Sequence, residues 1–450
     1  MQTSPLATTV DGSIPKREST AATTGAQSDI RRTLDMLRQL FPKAATGNVS
    51  FQLWDGSLWP DEKARAATIE LRHRDAIRAM FSSGTEKGLA EAYLRDYFSV
   101  HGDLETACEL ADALAETLAS APLLAAKTIF HLRSRAAIPT LSRFWSTAGR
   151  WPFRRHSRAR DRAAISFHYD VSNQFYGLWL DPEMLYSCAY FENAADDLAS
   201  AQTAKMRHLC RKLRLQAGQR VLDIGCGWGG LAIFAARHFG VRVTGITLSQ
   251  EQASFASQAV VRAGMTADVD IQVRDYRELE DAEGYDAIVS VGMAEHVGAE
   301  HLPEYFGKAF RLLRPGGVFL NHAIGDGVRA FETRERSFIQ EYVFPDSDIP
   351  RLPQVLAAAE SVGFEVRDVE NLREHYLHTL RHWVRRLEAA HEAALEFVNE
   401  QTYRVWRLYM AGAARGFAQG RLAVYQTLLV KPDKLGHANL PLTRNDWYRS

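Results

Sequence analysis

Asp223 and the glycines 225, 227, 229 and 230 stand in one run, Val221-Leu222-Asp223-Ile224-Gly225-Cys226-Gly227-Trp228-Gly229-Gly230. Glycines so spaced let the main chain adopt left-handed dihedrals and let a ligand lie directly against it. The apolar residues before them and the helical pattern from Leu231 to His238 after them read as a strand, a tight turn and a helix N-terminus. Such a turn holds a nucleotide cofactor beside the partly positive end of the helix. Gly225, Gly227 and Gly230 formally match the G-x-G-x-x-G spacing of dinucleotide binding. Asp223 argues for a different ligand, because a carboxylate two residues before the first glycine repels a pyrophosphate and suits a cation such as a sulfonium amino acid. Cys226 is read as packing.

Strands are expected at 219–224, 241–246, 269–273, 285–291, 316–323, 364–370 and 423–431, with helical patterns between most of them. The fold class that follows is α/β: a seven-stranded, doubly wound, Rossmann-like sheet with its ligand beyond the carboxyl ends of the first strands. This catalytic domain is placed at 166–450. Residues 1–27 read as a disordered leader. From 28 to 145, Leu34, Leu37 and Leu40, then Leu89, Ala92, Tyr93 and Tyr97, then Leu110, Leu114 and Leu118 recur at helical spacing, with a strand or hairpin at Val49 to Trp59. That stretch reads as a smaller, mainly helical N-terminal domain.

The linker 146–165 is basic: six arginines (150, 154, 155, 158, 160 and 162) stand against Asp161, among Trp151, Pro152 and Phe153. It reads either as a solvated linker or as a contact for anionic lipid headgroups; no recognition module for RNA accompanies it. Over the whole chain of 450 residues, 54 basic and 54 acidic side chains balance, and nothing in the total points to nucleic acid. A hydrophobic content of 46% allows a large core in two or three domains. No apolar run has the length of a membrane span and the N-terminus lacks a signal-peptide core, so a cytoplasmic location is expected. The four cysteines (108, 188, 210 and 226) are scattered, without the spacing of a disulfide framework or a zinc site, and no metal is expected.

The spacing Asp-x-Gly-x-Gly-x-Gly-Gly resembles the first motif of class I S-adenosylmethionine (SAM) methyltransferases. The end of the second strand, Gly245 to Gln252, departs from their common pattern, since no acid stands at its tip for the ribose diol, leaving Thr247 and Gln252 to hold it. That missing acid also disfavours an NAD-dependent oxidoreductase. Five blocks occur in one order: Tyr186-Ser187-Cys188-Ala189-Tyr190-Phe191, Val221 to Gly230, Gly245 to Gln252, Val289 to Gly298, and His322-Ala323-Ile324-Gly325. Together they resemble the cyclopropane-fatty-acyl-phospholipid synthases and mycolic-acid cyclopropane synthases over residues 160 to 430. The N-terminal domain resembles the phospholipid-acting branch, which implies a lipid-interacting role.

The resemblance implies methylene transfer from SAM to the cis double bond of a phospholipid acyl chain, through a carbocation deprotonated by bound bicarbonate. Cys188, Glu295, His322, Ile324 and Tyr409 match the family's bicarbonate and catalytic positions. An anion and aromatic faces suit the cation, and a hydroxyl, an imidazole and the N–H groups of Cys188 and Ile324 suit the anion. For the cofactor the expected contacts are Asp223, Gly225, Gly227 and Gly229 at the methionine portion, and Thr247 with Gln252 at the ribose. Tyr186 and Ser187 should cover the site, and Asp275 and Tyr276 should meet the adenine. The same first step could instead end in a methylene- or methyl-branched chain; Glu295, the family's acid, favours the ring. A lipid-binding protein with a degenerate methyltransferase domain is the non-catalytic alternative, which the intact glycine turn opposes. Expected partners are unsaturated phospholipids and the anionic inner face of a membrane, with no nucleic acid and the choice between monomer and homodimer open.

Overall fold

The computed structural model describes residues 19–41, 47–81, 86–110, 112, 172–330, 338–344, 348–438 and 440–448. The basic linker 146–165 and residues 1–18 of the stretch read as a leader lie outside them. Contacts divide the chain into two compact units, Met1–Gly84 with Asp96–Ala136, and Thr85–Arg95 with Ala137–Ser450.

In the first unit the segment read as a strand or hairpin is a hairpin: β1 (Val49–Gln52) pairs antiparallel with β2 (Leu58–Trp59). Two further strands, β3 (Ala67–Leu71) and β4 (Phe98–Gly102), extend it to a four-stranded sheet in the order β2-β1-β3-β4. A mainly helical reading did not announce that sheet. In β3 only Ala67, Ile69 and Leu71 are buried, so its alternation is five residues long, and Tyr97, taken as helical, stands immediately before β4. The helix Ser19–Leu40 begins within the stretch read as disordered.

The second unit holds seven strands at the expected places: β5 (Arg220–Ile224), β6 (Arg242–Thr247), β7 (Val269–Val273), β8 (Tyr285–Val291), β9 (Leu313–Asp326), β10 (Glu365–Asn371) and β11 (Leu422–Val430). Their order is β10-β11-β9-β8-β5-β6-β7. β5 to β9 pair in parallel, while β11 runs antiparallel between β9 and β10. Successive residues enter opposite layers, as the two-residue period of a strand dictates. Val221, Val289, Leu320 and Leu428 pack in one layer, and Leu222, Ile288, Phe319 and Leu429 in the other. Burial on both faces is why the parallel strands read as unbroken apolar runs. The strand order reverses between β5 and β8, and a crevice at such a switch point, beyond the carboxyl ends, is where this architecture binds ligands.

The short helix Glu86–Leu94 belongs to this second unit. There Arg404 donates to the Tyr93 carbonyl at 2.8 Å and Arg407 to the Tyr93 hydroxyl at 3.1 Å.

Candidate active site

β5 delivers Asp223 and then the turn. The N–H groups of Gly225 and Cys226 both donate to the Ile246 carbonyl, at 2.9 and 3.0 Å, which ties the turn to β6. Gly225 has φ of 82°, which excludes most side chains. At Gly230, first residue of the helix Gly230–Phe239, an added Cβ would lie 2.4 Å from the Glu183 carbonyl oxygen. The cleft beside this turn is lined by Tyr186, Ser187, Asp223, Gly225, Gly227, Thr247, Gln252 and Tyr276. Gly229 instead packs against Ala256, whereas Cys226 packs against Gly245 and also lines the cleft.

Lys205, which the sequence reading missed, lines the same cleft. It is 1% exposed, and its Nζ donates to the Ser187 hydroxyl at 2.9 Å. Among the described residues it has no carboxylate in ion-pair contact. Burial lowers its pKa to about 8. Asp223, 2% exposed, is pushed up to about 7 by burial, with Lys205 pulling the other way. The signal was legible: Gln202, Lys205, His208 and Lys212 recur at intervals of three or four and form a polar stripe on the buried face of the helix Leu198–Lys212. Gln202 fastens the covering segment by donating to the carbonyls of Leu185 and Ser187, at 3.1 and 2.9 Å.

At the tip of β6 the Thr247 hydroxyl donates to Gln252 Oε1 at 2.9 Å, which leaves the Gln252 amide nitrogen as a donor for the cleft. Ser249 caps the following helix through the Gln252 N–H, fixing that side chain's origin. Asp275 does not line the cleft. Arg277, two residues on, binds both its carboxylate oxygens, and only Tyr276 of that pair reaches the cavity wall.

The second group of residues lies at the ends of β8 and β9. Gly292 N–H donates to the His322 carbonyl at 2.8 Å, and the short helix Ala294–Val297 then brings in Glu295. Glu295 Oε1 accepts from the Ile324 N–H at 2.7 Å, so that N–H, expected to face an anion, is already used. Glu295 is 7% exposed, burial pushes its carboxyl up to about 7, and its Oε2 has no hydrogen-bond partner. His322 Nδ1 meets Gln426 Nε2 at 3.2 Å, while His322 Nε2, also buried, has no partner. Burial, helped by the cationic Lys205 and Lys212, lowers the imidazole pKa to about 3, and the ring stays neutral at ordinary pH.

Tyr409, on the helix Glu400–Ala418, accepts from the Tyr186 hydroxyl at 3.3 Å. Tyr186 belongs to an aromatic box with Trp179, Trp383 and Trp406, whose ring centroids lie 5.4, 5.2 and 6.0 Å from it. Tyr376 and Tyr403 are buried too, whereas Phe397 is 40% exposed. Burial raises both phenol pKa values, Tyr409 to about 12, so the pair donates protons in hydrogen bonds rather than ionising. Cys188 is buried, with its Sγ 3.2 Å from the Ala189 carbonyl and 3.8 Å from that of Leu372. Burial raises the thiol pKa and removes it as a nucleophile. The structure therefore couples Glu295 with Ile324, and Tyr186 with Tyr409. Cys188 and His322 are held by other partners.

A reversed strand beside a parallel sheet, a glycine turn at its switch point and a neutral Thr–Gln pair at the next strand tip define a methyltransferase of the SAM-dependent, Rossmann-like fold. The sequence profile of the family described as mycolic acid cyclopropane synthetase matches residues 156–427. The chain belongs to that family. It is 41% identical over 421 residues to a probable fatty acid methyltransferase of Pseudomonas putida, covering 92% of this chain and 100% of the relative. It is 38% identical over 281 residues to the cyclopropane-fatty-acyl-phospholipid synthase of Escherichia coli K12, covering 62% of this chain and 71% of the relative. Among solved structures, mycolic acid cyclopropane synthase CmaA1 with SAH and CTAB superposes with a TM-score of 0.57 at 35% identity, over 60% of this chain and 97% of that one.

Proposed function

We propose that this chain transfers a methylene group from SAM to the cis double bond of an unsaturated phospholipid acyl chain and closes a cyclopropane ring. The observation that carries the reading is the pair of buried, unpaired polar atoms, Glu295 Oε2 and His322 Nε2, in the unit that holds a cleft suited to a sulfonium amino acid. Buried polar atoms without partners call for a ligand. Family membership and the names of the relatives support the substrate class.

The cleft fits SAM by its donor set. Asp223 and Lys205 oppose the ammonium and carboxylate of an amino acid, Thr247 and Gln252 offer neutral polar groups to a ribose, and Tyr276 offers a ring to the adenine. When bound, SAM supplies an electrophilic methyl group. The alkene gains a bond to that carbon as the C–S bond breaks and the sulfur leaves as a thioether, which puts the positive charge on the second alkene carbon; loss of a proton from the transferred methyl then supplies the electron pair that closes the ring. The faces of Tyr186, Trp383 and Trp406 suit the positive charge that builds on the acyl chain.

The unpartnered His322 Nε2 and Glu295 Oε2 support bicarbonate, a small anion with one proton, as the further ligand. His322 Nε2, the Tyr409 hydroxyl and the Cys188 N–H would hold it, and it supplies a base. Glu295, poised near neutrality, holds or accepts a proton at Oε2. His322 orients without serving as the base, since its ring does not take up a proton above about pH 3.

Purified chain incubated with SAM and vesicles of monounsaturated phospholipid should add the mass of one CH2 group to acyl chains that then resist hydrogenation. Unmodified lipid refutes the reading. The full-length match to a probable fatty acid methyltransferase favours a second outcome, a methylene- or methyl-branched chain; a product that gains CH2 and then takes up hydrogen identifies the methylene form. Peripheral attachment to an anionic membrane is part of the proposal and rests on the basic segment. No helix among the described residues is long and apolar enough to cross a membrane.

A further inference from the structure

Glu370, Gln426 and His322 stand in one row across three neighbouring strands. Glu370 is the register partner of Gln426 in the β10–β11 pair, and Gln426 is the register partner of His322 in the β11–β9 pair. Directly opposed residues share a face of the sheet. Lys212, the last residue of the helix Leu198–Lys212, comes down on that row fully buried. Its Nζ lies 2.7 Å from Glu370 Oε2, 3.1 Å from Asp368 Oδ2 and 3.1 Å from Gln426 Oε1. An ammonium has three donors and no acceptor; here it donates to Glu370 and Gln426, with Asp368 in ion-pair contact beside them.

The consequence for Gln426 is a fixed amide. Because Lys212 can only donate, the atom facing it must be the amide oxygen, and the other end, 3.2 Å from His322 Nδ1, must be the NH2 group. An amide NH2 can only donate, so Nδ1 must accept. A neutral imidazole that accepts at Nδ1 carries its proton at Nε2. That is the buried atom with no partner.

We propose that Lys212 and Gln426 are positioning residues that lock His322 in the Nε2–H tautomer, so that a hydrogen-bond donor is held toward the anion of the reaction. The role assigned to the anion rests on the function proposed above; the tautomer does not. The relay separates two tasks: the sheet holds the ring, and a buried cation on the far side of one amide decides which of its nitrogens donates. Glu370 and Asp368 balance that cation, and His208, 2.9 Å from Glu370 Oε2, closes the network.

The test uses full-length protein labelled with 15N in its histidine rings, with the His322 signals assigned by their loss in His322→Asn. The wild type should show His322 neutral and protonated at Nε2. Gln426→Glu puts an acceptor where the donor stood and should move the proton to Nδ1. Turnover with SAM and unsaturated lipid should fall roughly 100-fold, with the KM for SAM changed less than about twofold. Gln426→Met, which removes the donor without adding charge, should leave both tautomers populated and lower turnover by a smaller factor, with a native circular dichroism spectrum confirming its fold. A wild-type ring protonated at Nδ1 overturns the proposal, as does a tautomer exchange that leaves turnover intact. Wild type that carries the Nε2–H tautomer and yet forms no lipid product overturns the functional reading and leaves the relay standing.

Discussion

Replacing Glu295 by Gln should damage turnover and, at alkaline pH, strengthen the fold. The carboxyl is buried with one oxygen bound to the Ile324 N–H and the other unpaired, and its pKa is raised from 4.5 to about 7 by burial. Between those values the folded chain keeps a proton that the unfolded chain has lost. The stability this group contributes is therefore complete below pH 4.5 and is lost as pH rises through 7; the difference corresponds to about 3 kcal/mol. Glutamine cannot ionise, and its amide oxygen can keep the bond to Ile324. At pH 8.5 the variant should thus exceed the wild type by up to about 3 kcal/mol, a rise in melting temperature on the order of 5 °C, and at pH 5 the two should melt together. Asp223 titrates over a similar range but is present in both proteins and cancels in the comparison. Turnover should drop roughly 10²- to 10⁴-fold, with SAH affinity by calorimetry unchanged. A melting difference that is the same at both pH values, or a variant less stable at pH 8.5, would refute the account of a buried, reluctant carboxylate.

Gly230→Ala should break the cofactor turn, because its Cβ would meet the Glu183 carbonyl at 2.4 Å; calorimetry should find SAH binding weakened at least tenfold, and wild-type affinity would count against the close approach. Lys205→Met should weaken SAM binding while raising the melting temperature of the ligand-free protein at pH 7. Its burial lowers the lysine pKa from 10.5 to about 8, so the stability it contributes is lost as pH falls through that range. A variant that melts lower at pH 7 and binds SAM normally contradicts both statements. Replacing Arg154, Arg155 and Arg158 with Ser should reduce binding to anionic vesicles in a salt-dependent manner; unchanged sedimentation with vesicles restores the plain linker.

The sheet of the second unit was legible because its strands carry local, doubly buried signals. Val221 to Ile224 and Ile288 to Val291 are short runs rich in β-branched residues, the kind a covered sheet buries on both faces, and the turn after Ile224 needs glycine for its dihedrals. The first unit's sheet was harder, since its strands have two to five residues and lie among helical spacings. At the site, Glu295, His322 and Tyr409 were placed by resemblance, and their partners were not readable. Gln426 lies 104 positions from His322 and 214 from Lys212, and only the order of β9, β11 and β10 makes them neighbours. The Asp275 carboxylate shows the opposite failure: a position at a strand tip was informative, but its oxygens are taken by a side chain two residues away.

β11 is the last strand in the chain, yet it lies between β9 and β10. A nascent chain emerging from the ribosome can assemble β5 to β9 early, but the strand bearing His322 has an open edge until Leu422–Val430 has been made. Synthesis thus enforces an order of completion: the methyl-donor cleft can form before Gln426 exists, whereas the oriented imidazole cannot. A chain interrupted before Leu422 would be left with two unpaired strand edges, open to pairing with other chains. Such a fragment should aggregate rather than accumulate as a half-active enzyme.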